Sequence, residues 1–160
     1  MDQETFLEIE GGCICGAVRY CLTSAPLFVH CCHCTWCQTE TGSAFAVNIL
    51  IESDRVRLKG GQTKAILTPS ASGKGQRIHR CPVCFVAVWS HYAGAGDAIR
   101  FVRAGTLDDP SRCPPDIHIY TMTAQSWLSL PADVPQVAEY YDIKAMWPEE
   151  SLNRRYSHKA

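Results

Sequence analysis

Cys32-His33-Cys34-Thr35-Trp36-Cys37 places three thiols within six residues, and two outlying pairs, Cys13-Ile14-Cys15 and Cys81-Pro82-Val83-Cys84, add four more. A thiolate is a soft, anionic donor, and zinc in a structural role takes four such donors tetrahedrally. Cys13, Cys15, Cys81 and Cys84 together fill one such set and join the N-terminal segment to the middle of the chain. Cys32, Cys34 and Cys37 remain as three, and three protein ligands leave a fourth position for water or a substrate atom. The expectation is two zinc ions, one closed and structural, the other open and reactive.

Metal is favoured over disulfides by compartment and by spacing. The opening Met1-Asp2-Gln3-Glu4 is acidic, and no apolar run approaches a secretory core segment or a spanning helix, so a soluble, cytoplasmic protein is expected. In a reducing compartment clustered thiols hold metal, and a disulfide inside Cys-x-Cys would be badly strained, whereas Cys-x-x-Cys points two sulfurs at one ion. With 160 residues, 46% apolar composition and a formal net charge of -1, the chain can build one ordinary core. That charge offers no general attraction for nucleic acid or an anionic membrane, and neither is expected as a partner.

The elements that must position these thiols read as strands. Glu8 to Thr23 alternates around Cys13 and Cys15 as a hairpin, with Val18 to Leu22 as its clearest strand and Cys21 packed against a sheet or facing solvent. Pro26 to Cys31 runs extended into the central cluster, and Trp36 to Thr41 makes a helical turn ending before Gly42. Further strands are expected at Phe45–Ile51, Val56–Lys59, Phe85–Trp89, Ile99–Ala104 and Ile117–Tyr120, with Lys64–Thr68 pairing back after the Gly60-Gly61 turn. Pro69 to Gln76 is a loop beside the Cys81–Cys84 knuckle that could cover a ligand. The whole is a mostly β, single-domain fold over residues 1–160, stapled by zinc, with few short helices.

Other residues carry weaker signals. His33 lies between two ligands and so points away from the metal, and His118 alternates with Ile117 and Ile119 as a hydrogen-bonded strand histidine would. Both stay as candidate proton donors in the catalytic site. Cys31 faces opposite to Cys32 in an extended segment and is the less favoured ligand, although a local bend would let it complete a closed site. Trp36 and Phe45 could wall a pocket, Arg77 and Arg80 could meet the carboxylates of a peptide-like thiol, and Asp108-Asp109-Pro110 reads as turn chemistry.

In sequence the chain resembles the glutathione-dependent formaldehyde-activating enzyme family, to which centromere protein V is also related. The resemblance rests on Gly12-Cys13-Ile14-Cys15-Gly16-Ala17-Val18-Arg19-Tyr20 and on Cys32 to Gln38 with Gly42 and Phe45. It continues through Arg80-Cys81-Pro82-Val83-Cys84, Gly105 to Pro110, and His118-Ile119-Tyr120 with Trp127, Leu130 and Pro131. A family-like core of about residues 11–135 is thus followed by a C-terminal extension, 136–160. The resemblance implies a β-tent-like zinc fold and a carbon-sulfur lyase activity that joins glutathione to formaldehyde as S-hydroxymethylglutathione. It also implies that Cys13, Cys15, Cys81 and Cys84 hold the structural ion and Cys32, Cys34 and Cys37 the reactive one. The family usually has glycine where Phe85 stands and an aromatic where Arg80 stands; a side chain intolerant of positive φ at 85 implies a different knuckle geometry.

The function expected is therefore a zinc-dependent lyase acting on the adduct of an aldehyde with glutathione, or another thiol, as co-substrate. The alternatives are a non-catalytic zinc-stabilised binding module and a related zinc enzyme recruited to a specialised biosynthetic reaction. A basic or disordered extension would have favoured the binding module, and the chain has neither.

Overall fold

The computed structural model describes residues 6–157; Met1 to Glu4, read above for their acidity, lie outside that span. Among the described residues ten strands form two sheets. β1 (Ile9–Gly12), β2 (Arg19–Leu22) and β5 (Val56–Gly60) make a three-stranded antiparallel sheet in the order β1-β2-β5. The larger sheet is built from β3 (Phe28–Cys32), β4 (Ala46–Glu52), β6 (Lys64–Thr68), β7 (Gln76–Arg80), β8 (Ala87–Tyr92), β9 (Ile99–Arg103) and β10 (Ile117–Ile119). Its order is β10-β3-β4-β9-β8-β7-β6, with β10 parallel to β3 and the other pairs antiparallel. No helix among the described residues is long and apolar enough to cross a membrane.

Strand alternation divides the large sheet into two faces. Val29, Ile49, Ile51 and Val102 pack on one side with Tyr20 and Trp89, the ring of Trp89 meeting Tyr20 edge-on at 5.7 Å. Phe28, Cys32, Leu50 and Phe101 pack on the other with Tyr141 and Trp147. Each large side chain so buried contributes about 1.5–3 kcal/mol of transfer free energy. β3 is buried on both faces, and this double burial puts neighbouring residues of one strand into different environments.

The hairpin around Cys13 and Cys15 is present as β1 paired with β2. Lys64–Thr68 departs from its expected pairing: β5 stays with the small sheet, and β6 pairs forward with β7, Ile66 opposite Ile78. Gly61 makes that departure possible. It has φ +72, and a Cβ there would sit 1.9 Å from the Ala17 carbonyl oxygen, so the turn admits glycine alone. β7 is a strand that the sequence does not announce, since four of its five residues are polar. The strand expected at Phe85–Trp89 begins only at Ala87. The C-terminal segment also holds two helices, α2 (Ile143–Met146) and α3 (Glu149–Ser157).

Candidate metal centres and active-site pocket

Four sulfurs meet where the first hairpin touches the β7–β8 turn. Cys13 and Cys15 come within 3.5 Å, Cys15 and Cys81 within 3.7 Å, and the sulfurs of Cys13, Cys15, Cys81 and Cys84 all lie within 4.8 Å of one another. These separations are far too long for a disulfide, and every cysteine is free. They match the edge of a sulfur tetrahedron, about 3.8 Å for Zn–S bonds of about 2.3 Å. The backbone is wound for the purpose. Val18 N–H donates to Cys13 Sγ at 3.2 Å and Val83 N–H to Cys81 Sγ at 3.4 Å, while the Val86 N–H holds the Cys84 thiol down to about 6. Such amide donors favour thiolate over thiol, as metal ligation requires.

The knuckle closes through Phe85, whose N–H donates to the Cys81 carbonyl at 3.0 Å. Phe85 adopts φ 60, the left-handed region, with its ring 63% exposed. The altered knuckle geometry expected from phenylalanine is therefore not found: the backbone takes the glycine-like conformation and carries the strain.

The second set forms at the end of β3 and the start of α1 (Thr35–Thr41). Cys32, Cys34 and Cys37 have their sulfurs within 4.8 Å of one another. Cys34 is the N-cap of α1, its sulfur accepting the Cys37 N–H at 3.3 Å, and Gly42, at φ 64, ends the helix. Contacts with the sulfurs of Cys32 and Cys37, aided by the Cys37 and Trp36 amides, pull the Cys34 thiol well below its usual range; its neighbour Cys34 in turn pushes Cys32 up. The set fits three legs of a tetrahedral soft-metal site.

These three cysteines border a cavity of about 380 Å³, and the four-cysteine set does not. The cavity lies on the Phe28–Leu50–Phe101 side of the sheet. A groove of about 660 Å³ along α3 is larger, but neither cysteine nor histidine lines it. His30, on β3 two residues before Cys32 and so on the same face, reaches the cavity wall. Burial, and then the Arg103 guanidinium, hold its imidazole down to about 3, so it is neutral near pH 7. Its Nδ1 is buried without a hydrogen-bond partner. No motif singles out His30 in the sequence, although the two-residue strand period that sets Cys31 apart from Cys32 also places His30 on the Cys32 face.

The helix bearing Cys37 is strapped to the sheet by charge. Glu40 accepts from Arg103 at 2.8 Å and from Arg80 at 2.5 Å, and Arg103 also donates to Asn48 Oδ1 at 2.7 Å. Arg80 and Arg77 are thus committed to carboxylates of the chain, Glu40 and Asp97, and do not present free guanidinium groups to a substrate. Trp36 lines the cavity and is 48% exposed; Phe45 borders a different hollow and packs on the His33 ring at 5.5 Å. Asp109 caps the Ser111 amide as turn chemistry requires, while Asp108 pairs with Arg19. Cys21 is fully buried in the small sheet.

His33 and His118 are buried against each other, His33 Nε2 to His118 Nδ1 being 2.9 Å, and neither lines the cavity. Cys31 Sγ stands 3.6 Å from His33 Nε2, so Cys31, His33 and His118 bring three donor atoms together. The His33 carbonyl accepts from Gln38 Nε2 at 2.7 Å and from Thr123 Oγ1 at 3.0 Å, which fixes the start of α1 against the segment after β10.

Comparison with known proteins bears on this arrangement. Residues 8–123 match the family described as glutathione-dependent formaldehyde-activating enzyme. A protein of Halomonas elongata, whose name provisionally assigns it that same activity, is 26% identical over 149 residues, covering 90% of this chain and 91% of its own. A crystal structure of a Rhodobacter sphaeroides protein superposes with a TM-score of 0.47 at 15% identity, over 80% of this chain and 99% of that one.

Proposed function

Because the chain belongs to the glutathione-dependent formaldehyde-activating enzyme family, we propose that it is a zinc-dependent carbon-sulfur lyase acting on thiol adducts of aldehydes, with glutathione and formaldehyde as the first pair to test. In the forming direction the thiol sulfur bonds to the carbonyl carbon, the C=O π bond opens, and the thiol proton ends on the new hydroxyl oxygen. No electrons leave or enter the pair of reactants. One observation carries the reading: three sulfurs border the cavity, whereas four others complete a set away from it.

Cys13, Cys15, Cys81 and Cys84 would hold a structural zinc, and Cys32, Cys34 and Cys37 a second. An ion held by three protein sulfurs supplies Lewis acidity that favours the anion of an incoming thiol. The chain does the rest. Leu50, Phe101 and Ile119 give part of the cavity an apolar lining. Neutral His30, whose side chain lines the cavity, is the candidate to hydrogen-bond the oxygen on which charge changes. His33 and His118 act from behind β3, fixing the segment that carries Cys32 and Cys34 rather than exchanging protons with the reactants.

Metal content and exchange kinetics test this together. The expected result is about two zinc ions per chain, a cobalt-substituted protein whose absorption shifts on adding glutathione, and accelerated formation of S-hydroxymethylglutathione followed by NMR with labelled formaldehyde. A single ion with a spectrum indifferent to thiols would defeat the proposal.

A further inference from the structure

The family match ends at residue 123, yet the wall of the cavity does not. Tyr140, Ile143 and Arg155 come from the segment beyond it and complete the side facing His30 and Tyr120. This segment is pinned at several points. Trp147 and Tyr141 are buried against Phe28, with ring centroids 5.7 and 5.4 Å away, and the Trp147 indole N–H donates to the Tyr141 hydroxyl at 3.0 Å. In α3, Arg154 grips Glu52 with two nitrogens, at 2.9 and 2.7 Å. The next residue, Arg155, is then held over the Trp147 ring at 5.4 Å and presented to the cavity.

Charge at the cavity is unequally committed. Arg103 is occupied by Glu40 and Asn48, and Glu40 is doubly neutralised by Arg103 and Arg80. None of the ion pairs among the described residues involves Arg155; its guanidinium lies over the indole face, and its charge reaches the phenols of Tyr140 and Tyr141. Tyr140 lies flat on Tyr141, centroids 4.6 Å apart at 13°, and stands nearly perpendicular to the His30 ring at 6.2 Å. A guanidinium outside these ion pairs and beside a rigid phenol is a fork suited to a carboxylate, which it can bind through parallel charge-assisted hydrogen bonds.

We propose that Arg155 and Tyr140 form a carboxylate-recognition wall, so that the cavity selects small thiols carrying an anionic group remote from sulfur. The proposal rests on the thiol-adduct function above and assigns its specificity to residues outside the family-matched span. Arg155 is a specificity determinant and does not touch the reacting atoms.

The test is equilibrium binding to the cobalt-loaded full-length protein, read from its absorption, with glutathione as the anionic thiol and 2-mercaptoethanol as the neutral one. Arg155→Gln should weaken glutathione about 10- to 100-fold and leave 2-mercaptoethanol within about twofold, whereas Arg155→Lys, which keeps the charge but not the fork, should fall between. Thermal midpoints of both variants should stay within a few degrees of the wild type. Unchanged glutathione affinity in Arg155→Gln, or equal weakening of both thiols, overturns the assignment while leaving the thiol-adduct function standing. If neither thiol shifts the wild-type spectrum, that function fails and the assignment with it.

Discussion

Cys31 and Cys32 are consecutive on β3 and face opposite sides of the sheet: Cys32 borders the cavity with Cys34 and Cys37, while Cys31 lies 3.6 Å from the imidazole of His33 behind it. Cys31 is buried on the face away from the cavity, so it packs against the His33 side of the sheet and stands apart from the sulfurs of Cys32, Cys34 and Cys37. Cys31→Ser should retain the wild-type metal content with a fall of a few degrees in Tm, and Cys32→Ser should lose one ion of about two. Metal analysis of the two purified variants decides it; loss of an ion from Cys31→Ser would move the second site to the Cys31–His33–His118 face.

The two sulfur sets should also fail differently. Cys81 is fully buried and joins the first hairpin to the β7–β8 turn, so ion binding there is part of the folding free energy. Cys34 is half-buried at a helix cap beside the cavity. Cys81→Ser should yield insoluble or non-cooperatively melting protein. Cys34→Ser should melt cooperatively within about 5 °C of the wild type and lose at least about 100-fold in turnover. Equal collapse of both, by circular dichroism and calorimetry, would mean two structural staples.

What could be read from the sequence was local in origin. Cys-x-Cys and Cys-x-x-Cys fix which sulfurs converge because two or three residues of backbone permit few other geometries. Strand alternation likewise separated Cys31 from Cys32. The partner of β6 was not legible, because pairing of Ile66 with Ile78 rather than with β5 depends on where the Gly61 turn sends the chain. β7 was hidden by its polar composition, Gln76, Arg77, His79 and Arg80 surrounding one isoleucine. α3, Glu-Glu-Ser-Leu-Asn-Arg-Arg-Tyr-Ser, has almost no apolar stripe; its docking rests on an ion pair and on Trp147 just before it, neither of which leaves a periodic trace.

Phe85 makes a separate prediction about backbone strain. A side chain at φ 60 costs about 1–2 kcal/mol relative to a relaxed residue, and glycine removes that cost while losing more chain entropy on folding. Since the ring is 63% exposed, little packing is forfeited. Phe85→Gly should therefore raise stability by about 0.5–1 kcal/mol in urea titrations, and Phe85→Val should lower it, β-branching being least compatible with this region. A destabilised glycine variant would show that the exposed ring contributes more than the strain costs.

The Glu52–Arg154 pair gives α3 a pH dependence with a definite sign. Burial pushes the Glu52 carboxyl up, but the Arg154 hydrogen bonds, joined by the Arg154 and Arg55 charges, bring it net below the ordinary glutamate value of 4.5. A carboxyl whose folded pKa is depressed contributes stability that is complete above the unfolded value and is lost as pH falls through the folded one. The unfolding free energy of wild type minus that of Glu52→Gln should hence be constant at neutral pH and shrink as pH falls below about 4.5 and on through the lower folded value, where Glu52 becomes neutral in the folded protein too. Protonation of the cysteine ligands acts on both proteins and cancels in the difference. Near pH 7, Glu52→Ala should cost about 3 kcal/mol, because Arg154 then loses the carboxylate it was folded against. Hydrogen exchange should place the loss in α3, and with it Arg155 should leave the cavity wall. A difference that stayed level down to pH 3 would mean that apolar packing around Trp147, and not this pair, holds the helix on the sheet.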